Sequence, residues 1–212
     1  ASVFAPLTLG PAPSATRLAS GAPGPKYWQN RVDYDLKATL DTVTQTLRGS
    51  MVLRYTNNSP DTLPILWLQT ENRTEVIDRF DQVVGGKAVA LTPGHPTGDV
   101  YETQVTLAQP LKPGQSASFT VAWHFTIKRG QRDGTLYQIA QWYPRLNVYD
   151  DVKGWNTESY ATGGEYFLEY GDYTMQVTLP AGFIVAATGT LDNPKDVLTP
   201  AEISRLGVAA KA

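Results

Sequence analysis

The sequence contains no cysteine among its 212 residues. Disulfide frameworks, thiolate zinc sites and cysteine nucleophiles are therefore excluded, although this absence does not decide between a reducing and an oxidising compartment. Long hydrophobic runs are also absent, because no window approaches the roughly 18 apolar residues of a membrane-spanning helix. We therefore expect no membrane span.

Clustered positive charge is absent as well. Lys and Arg together number 18 against 20 Asp and Glu, which gives a formal charge of -2 at pH 7. A protein that neutralises many phosphates presents a basic face, and no Lys/Arg cluster occurs along this chain. Nucleic acid is therefore not expected as a partner.

Histidine is rare, with only His95 and His124 in the chain. Neither has a second His or a carboxylate at metal-ligand spacing, since both H-E-x-x-H and H-x-H are missing. A G-x-S-x-G nucleophile elbow is missing too, which argues against acyl transfer by this chain. The sequence therefore predicts no catalytic residue, no metal site and no cofactor within these 212 residues.

The first 26 residues are rich in Ala, Pro, Ser and Gly, and we expect residues 1–26 to form a flexible leader. The tract has neither the basic region nor the apolar region of a signal peptide. It fits either the mature start of an exported protein or a trimmed boundary. The first alternative predicts a periplasmic or extracellular location.

Alternation of apolar and polar residues dominates the next part of the chain. Apolar residues at every second position from Val32 to Leu40 predict a half-buried strand. A second alternating run from Leu47 to Tyr55 follows a short polar break and predicts the antiparallel partner of a hairpin. Gly85-Gly86 has the spacing of a two-residue hairpin turn with positive φ. Further strands are predicted at 63–68, 100–107, 117–127, 173–179 and 183–188.

Helix signals are scarce by comparison. The best lies at Thr199-Pro200-Ala201-Glu202, which combines an N-cap Thr, Pro at the first helical position and Glu three residues after the cap. This helix would run toward Ala210. With about nine predicted strands, the fold class is all-β, an antiparallel curved sheet or β-sandwich with a short C-terminal helix.

Chemically useful side chains concentrate between Gln138 and Asn156 and shortly beyond. Two carboxylates in a cleft could support glycoside hydrolysis, and aromatic faces could stack on sugars. The alternatives are that Asp150-Asp151 belongs to a turn and that the aromatics close the end of a sandwich or lie in an interface. The carboxylates concerned are Asp150, Asp151, Glu158, Glu165 and Glu169, and the aromatics are Trp142, Tyr143, Tyr149, Trp155, Tyr160 and Tyr166.

Several short motifs, taken in order, resemble the N-terminal domain of the aminopeptidase N family of zinc metallopeptidases, and most closely its secreted bacterial branch. The resemblance covers about residues 27–194. It is carried by Val32-Asp33-Tyr34, Leu47-Arg48-Gly49, Tyr55-Thr56-Asn57-Asn58-Ser59, Ala140-Gln141-Trp142-Tyr143-Pro144-Arg145, Tyr149-Asp150-Asp151, Gly154-Trp155, Gly164-Glu165-Tyr166, Glu169-Tyr170-Gly171-Asp172-Tyr173 and Val185-Ala186-Ala187-Thr188-Gly189.

The resemblance implies a saddle-shaped, mostly antiparallel β-domain over residues 27–197 that covers a thermolysin-like catalytic domain. In that family the zinc ligands, the general base and the G-x-M-E-N segment all lie C-terminal to the β-domain. None of these motifs occurs here. The resemblance thus implies that residues 198–212 lead toward a catalytic domain absent from this chain, that zinc belongs to that domain, and that this chain alone is inactive.

One segment of the family's β-domain reaches the active-site cleft and contacts the N-terminal residue of a peptide substrate through a Gln. Gln141 matches that Gln by motif. The family often places Gln or an acidic residue two positions later, where this sequence has Tyr143, a neutral hydroxyl instead of a carboxylate that would pair with an ammonium. We predict that Gln141 and Tyr143 face the substrate and that Trp142 packs on the opposite side as core.

A second interpretation stays open beside this one: a stand-alone carbohydrate- or protein-binding β-sandwich. Binding to a glycan panel that disappears on Trp155→Ala would favour it. A continuation of the reading frame into H-E-x-x-H would favour the metallopeptidase domain instead.

Overall fold

The computed structural model describes residues 13–70, 75–96, 101–128, 132–134, 136–158 and 167–210. The chain divides into two compact units, Ala1–Thr178 and Leu179–Ala212. All strands of the described residues lie in the first unit and both helices lie in the second. The fold class is therefore all-β with a short helical C-terminal part, as the sequence predicts.

A six-stranded sheet forms the larger part of the first unit. Its strand order is β14-β1-β2-β8-β4-β5. The predicted hairpin is confirmed, since β1 pairs antiparallel with β2 from Arg31↔Thr56 to Asp41↔Thr46. The strands are β1 (Arg31–Asp41), β2 (Thr46–Thr56), β4 (Val76–Val84), β5 (Lys87–Ala90), β8 (Ser116–Thr126) and β14 (Tyr173–Thr178).

The turn between β4 and β5 is the predicted two-residue turn. Gly85 and Gly86 have φ values of 58° and 77°, in the left-handed region that Gly adopts without a Cβ penalty. The other edge of this sheet differs from the prediction of an antiparallel sheet, because β14 pairs with β1 in parallel. The sheet is therefore mixed.

A four-stranded sheet, order β11-β3-β7-β6, completes the main framework. The apolar run at 63–68 lies in β3, where Leu66, Trp67 and Leu68 are all buried. Two two-stranded pairs, β9 with β10 and β12 with β13, are additional. The strands are β3 (Leu63–Gln69), β6 (Pro93–Gly94), β7 (Glu102–Leu111), β9 (Arg132–Asp133), β10 (Leu136–Tyr137), β11 (Arg145–Leu146), β12 (Tyr149–Asp150) and β13 (Gly154–Trp155).

The two large sheets are joined by hydrogen bonds from buried side chains. The Tyr34 hydroxyl on β1 accepts from the Leu146 amide on β11 at 3.0 Å. The Gln82 side chain on β4 exchanges two hydrogen bonds with the Gln109 backbone on β7, at 2.8 and 2.9 Å. The alternating apolar residues of β1, β2 and β8 are buried on one face, so the core lies on that face and the polar residues lie on the other.

The second unit contains α1 (Pro194–Val197) and α2 (Pro200–Ala209). The predicted start of α2 is confirmed: the Thr199 side chain accepts from the Glu202 amide, and the Glu202 carboxylate accepts from the Thr199 amide at 2.7 Å. The predicted strand at 183–188 is wrong, because these residues form no strand. An apolar segment forms a strand only where a neighbouring strand satisfies its backbone groups, and none pairs with 183–188 among the described residues.

No helix of the described residues is long and apolar enough to cross a membrane.

Candidate functional site

Gln141 lies in the connection between β10 and β11 and has an unusual backbone conformation. Its φ of 49° falls in the left-handed region, shared among the described non-glycine residues only with Gln45. Such a conformation is uncommon for a residue with a Cβ and costs on the order of 1 kcal/mol. The surrounding contacts must therefore hold Gln141 in place.

Arg145 supplies one of those contacts. Its Nη2 atom donates to the Gln141 side-chain oxygen Oε1 at 2.8 Å. Arg145 is only 5% exposed and lies on β11, paired with Gln69 of β3. Arg145, which is buried on β11, therefore holds the side chain of Gln141, which is half-buried in the loop.

Tyr143 packs within a group of three tyrosines. Its ring meets the buried Tyr34 ring edge-on, with centroids 5.4 Å apart, while Tyr173 of β14 stacks on Tyr34 at 5.0 Å. Burial raises the pKa of the Tyr143 hydroxyl, and a hydrogen bond to Tyr173 adds to the shift. Burial also raises the pKa of the Tyr173 hydroxyl, and there the same bond opposes the rise, as expected if Tyr143 donates and Tyr173 accepts.

Trp142 lies between these two residues and contacts the core. Its backbone oxygen accepts from the Trp123 indole nitrogen at 2.9 Å, and the two indole rings are 6.0 Å apart. Trp123 is 1% exposed, so this hydrogen bond fastens the 138–144 connection to the larger sheet. The structure thus places Gln141 and Tyr143 in one fixed connection, and their contact with a substrate stays a prediction.

The carboxylates considered for glycoside hydrolysis have other partners. Asp150 accepts from the amides of Val152 and Lys153 at 2.9 and 2.8 Å, the pattern of a turn. Asp151 binds Arg17 and Thr16. Glu158 forms an ion pair with Lys153, and Glu165 lies outside the described residues. The turn interpretation of Asp150 therefore agrees with the structure.

Glu169 differs from the other carboxylates, and its burial was not anticipated from the sequence. It is 5% exposed, and burial raises its pKa to about 7. Its Oε2 accepts a long 3.4 Å bond from Gln29, whereas its Oε1 has no partner among the described residues. The described residues next to it, 167–172, form no regular strand, so no periodic pattern there could have indicated that the side chain is buried.

A small cavity of about 30 Å³ lies beside Glu169 and is also lined by Trp28, Tyr149 and Asp150. The Trp28 and Tyr149 rings stack at 5.9 Å, and Tyr149 meets Trp155 edge-on at 5.2 Å. The suggested aromatic platform is thus divided: Tyr149 and Trp155 pack together here, and Trp142 and Tyr143 pack at the Gln141 connection. Tyr160 and Tyr166 lie outside the described residues.

A larger open depression of about 300 Å³ lies on the polar face of the six-stranded sheet. Its charged members include Arg79, which pairs with Asp81, and Thr120 donates to the same Asp81 at 3.1 Å. Both histidines also have structural partners: His124 contacts Asp78 and His95 contacts the Glu102 backbone oxygen. No group of three or more His, Asp or Glu among the described residues could hold a metal ion.

Comparison with known proteins finds structural likeness only. No protein-family model and no curated protein matches the chain. Among solved structures, the chain resembles a mutant M1 zinc metallopeptidase from Deinococcus radiodurans bound to a Tyr-Ser-Ala substrate, with 19% identity, a TM-score of 0.46, and coverage of 80% of this chain and 37% of that chain.

Two further structures give similar values. A two-domain M1 zinc metallopeptidase mutant bound to L-tryptophan is 17% identical, with a TM-score of 0.48 and coverage of 80% and 37%. The M1 zinc metallopeptidase from Deinococcus radiodurans is 16% identical, with a TM-score of 0.44 and coverage of 79% and 36%. The chain thus spans little more than a third of the length of the structures it resembles.

Proposed function

We propose that the chain is the non-catalytic N-terminal β-domain of a zinc-dependent, aminopeptidase-like metallopeptidase. In this proposal it covers the active-site cleft and helps to recognise the N-terminal residue of a peptide substrate. Its partners are the peptide and a catalytic domain of the same protein, which supplies the zinc. The ordered series of motifs from Val32 to Gly189 supports the proposal.

The observation that carries the substrate-facing role is the conformation of Gln141. A left-handed φ at a residue with a long side chain is maintained only where its surroundings compensate the cost, and such residues concentrate at functional sites. Buried Arg145 fixes the side chain, and Trp123 fixes the neighbouring backbone. A rigid polar surface of this kind can select peptide substrates, because only a free N-terminus fits against it.

The test is the substitution Gln141→Ala in the full-length protein, with kcat/KM measured on aminoacyl p-nitroanilides. We expect a loss of about tenfold, which corresponds to one hydrogen bond of about 1.4 kcal/mol. Gln138→Ala is the matched control, because Gln138 is exposed in the same connection. An unchanged kcat/KM in Gln141→Ala would remove the substrate-facing role.

We also propose that the protein acts outside the cytoplasm, in the periplasm or extracellular space. The Ala/Pro/Ser/Gly composition of residues 1–26 and the resemblance of the motifs to the secreted branch support this location. Fractionation of the native host with an antibody to the 27–197 region would test it, and recovery only with cytoplasmic markers would contradict it.

A further inference from the structure

Residues 13–28 form a strap that lies outside the sheets. Their described backbone hydrogen bonds all run within the segment, as from the Gly24 amide to the Thr16 oxygen. The next residue is fixed to the larger sheet, because the Asn58 side chain, just after β2, donates to the Gln29 backbone oxygen at 2.8 Å. Gln29 is therefore the fixed end of the strap.

One carboxylate holds the strap against the rest of the chain. Thr16 Oγ1 donates to Asp151 Oδ2 at 2.5 Å, and Arg17 binds Asp151 Oδ1 through Nε at 2.9 Å and Nη2 at 2.8 Å. The other side-chain hydrogen bonds of residues 13–28 stay within the segment, in the part of the chain that the structure describes. The Trp28 ring adds a stacking contact with Tyr149. So small a set of contacts can open locally while the rest of the fold stays intact.

Glu169 lies behind this strap. The cavity of about 30 Å³ beside Glu169 is lined by Arg17, Tyr27 and Trp28 of the strap as well as by Tyr149. Glu169 is 5% exposed. Because the strap supplies part of the cavity lining, its release exposes the carboxyl group to water.

The closed arrangement accommodates an ionised Glu169 poorly. Its Oε2 accepts only a 3.4 Å bond from Gln29, and its Oε1 has no partner among the described residues. Asp150 adds a like charge. Arg17 is the one cation among the described lining residues, and Asp151 already binds it. A buried carboxylate with so few donors is costly, whereas a protonated carboxyl group is not.

The other titratable groups that face Glu169 are tyrosines, whose hydroxyls ordinarily carry no charge near neutral pH. Burial raises the pKa of Tyr149 to about 12 and that of Tyr55 well above its ordinary value. Tyr27 lines the same cavity. None of the three supplies the positive charge that an ionised Glu169 lacks.

We propose that residues 13–28 are a pH-sensitive strap, closed over Glu169 while this carboxyl group is protonated and released when it ionises. Asp151 holds the strap closed through Thr16 and Arg17. Neither a peptide nor a catalytic domain is needed for this motion.

The direction of the pH dependence follows from the two states of Glu169. Its pKa is about 7 in the closed state because of burial, and exposure to water returns it toward the ordinary 4.5. The closed state therefore keeps its full advantage below pH 4.5. The equilibrium constant for opening rises about tenfold per pH unit between the two pKa values and levels off above them.

A single introduced thiol reports the opening, because the chain has no cysteine. Val148 lines the cavity and is 3% exposed, and Val148→Cys exchanges one small apolar side chain for another. Its rate of reaction with 4,4′-dithiodipyridine is divided at each pH by that of an unfolded cysteine peptide. We expect this ratio to rise about a hundredfold between pH 4.5 and pH 7.5. Val105→Cys is the matched control for global unfolding, because Val105 is 0% exposed within β7, and it should react at least about tenfold more slowly at every pH.

Two further variants, each combined with Val148→Cys, test the two carboxyl groups. Glu169→Gln should keep the ratio within about threefold over the same pH range. Asp151→Asn should raise it about tenfold at pH 4.5, where Glu169 of the closed state is protonated. Equal rates at positions 148 and 105 would show that the strap opens only with the whole fold, and the inference would be wrong. An unchanged pH dependence in Glu169→Gln, or an unchanged rate in Asp151→Asn, would overturn it as well.

Discussion

Glu169 is a buried carboxyl group whose Oε1 has no partner among the described residues. Its pKa rises from the ordinary 4.5 to about 7 because burial disfavours the charged form, and Asp150 adds a smaller contribution in the same direction. The folded state therefore binds the Glu169 proton more tightly than the unfolded state does. Ionisation of this group destabilises the fold.

We predict that the free energy of unfolding decreases between pH 4.5 and pH 7 by an amount on the order of 2 kcal/mol, and that Glu169→Gln removes most of this decrease. Urea unfolding at several pH values measures it. The pKa values of Asp33 and Asp151 are lowered instead, so the free energy of unfolding changes through these two groups only at more acidic pH. Glu158→Gln is the control, because Glu158 is exposed. The same pH dependence in Glu169→Gln and the wild type would contradict the assignment.

Between elements, Gly49 is where the Trp123 ring of β8 packs directly against the backbone of β2. It lies opposite Trp123 in the β2–β8 register, and a Cβ at position 49 would meet the Trp123 ring at 2.2 Å. Trp123 cannot easily move, since it is buried and its indole nitrogen holds the Trp142 backbone. The Gly is required here because the indole ring occupies the space of a side chain.

We therefore expect Gly49→Ala to lower the free energy of unfolding by about 1–3 kcal/mol, the usual cost of overpacking. Chemical denaturation followed by tryptophan fluorescence measures the change. Gly94→Ala serves as the control, because an added Cβ there meets nothing within 4 Å. A Gly49→Ala protein as stable as the Gly94→Ala protein would show that the ring shifts at no cost.

The strands with strict alternation could be predicted from the sequence, and those set by distant contacts could not. The run from Val32 to Leu40 buries every second side chain against one core face, so the pattern and the structure coincide in β1. The parallel pairing of β14 with β1 has no signal within the strand itself. The short strands β9 to β13 each have two residues, too few for any periodicity.

The same distinction applies to the candidate site. Gln141 could be selected by its motif, because the Gln and the following Pro-Arg pair are adjacent in sequence. Its left-handed φ, the bond from Arg145 and the Tyr143–Tyr173 contact depend on packing between separate strands. The sequence of residues 138–145 alone does not indicate that Tyr34 and Tyr173 lie beside this segment. The sequence therefore identifies the candidate residues, and the packing of the fold determines which of their atoms are accessible.

At the scale of the whole molecule, the first unit ends in a strand with unusual exposure. β14 is an uncharged six-residue strand, Tyr-Thr-Met-Gln-Val-Thr, whose second edge pairs with no strand among the described residues. Tyr173 and Met175 are 48% and 42% exposed. Phe167 and Tyr170, just before the strand, are exposed as well. Uncharged exposed edges of this kind favour pairing between molecules.

We predict that the 212-residue chain on its own self-associates through β14 as its concentration rises, and that Met175→Lys shifts it toward the monomer. A charge on an edge strand opposes edge-to-edge pairing because two such strands would bring like charges together without water. Sedimentation velocity over a hundredfold range of concentration measures the association. Val43→Lys is the matched control, since Val43 is the most exposed large apolar residue described, at 91%, and lies in the β1–β2 turn. If the wild type stays monomeric throughout, or if both Lys variants associate as it does, β14 is not the contact.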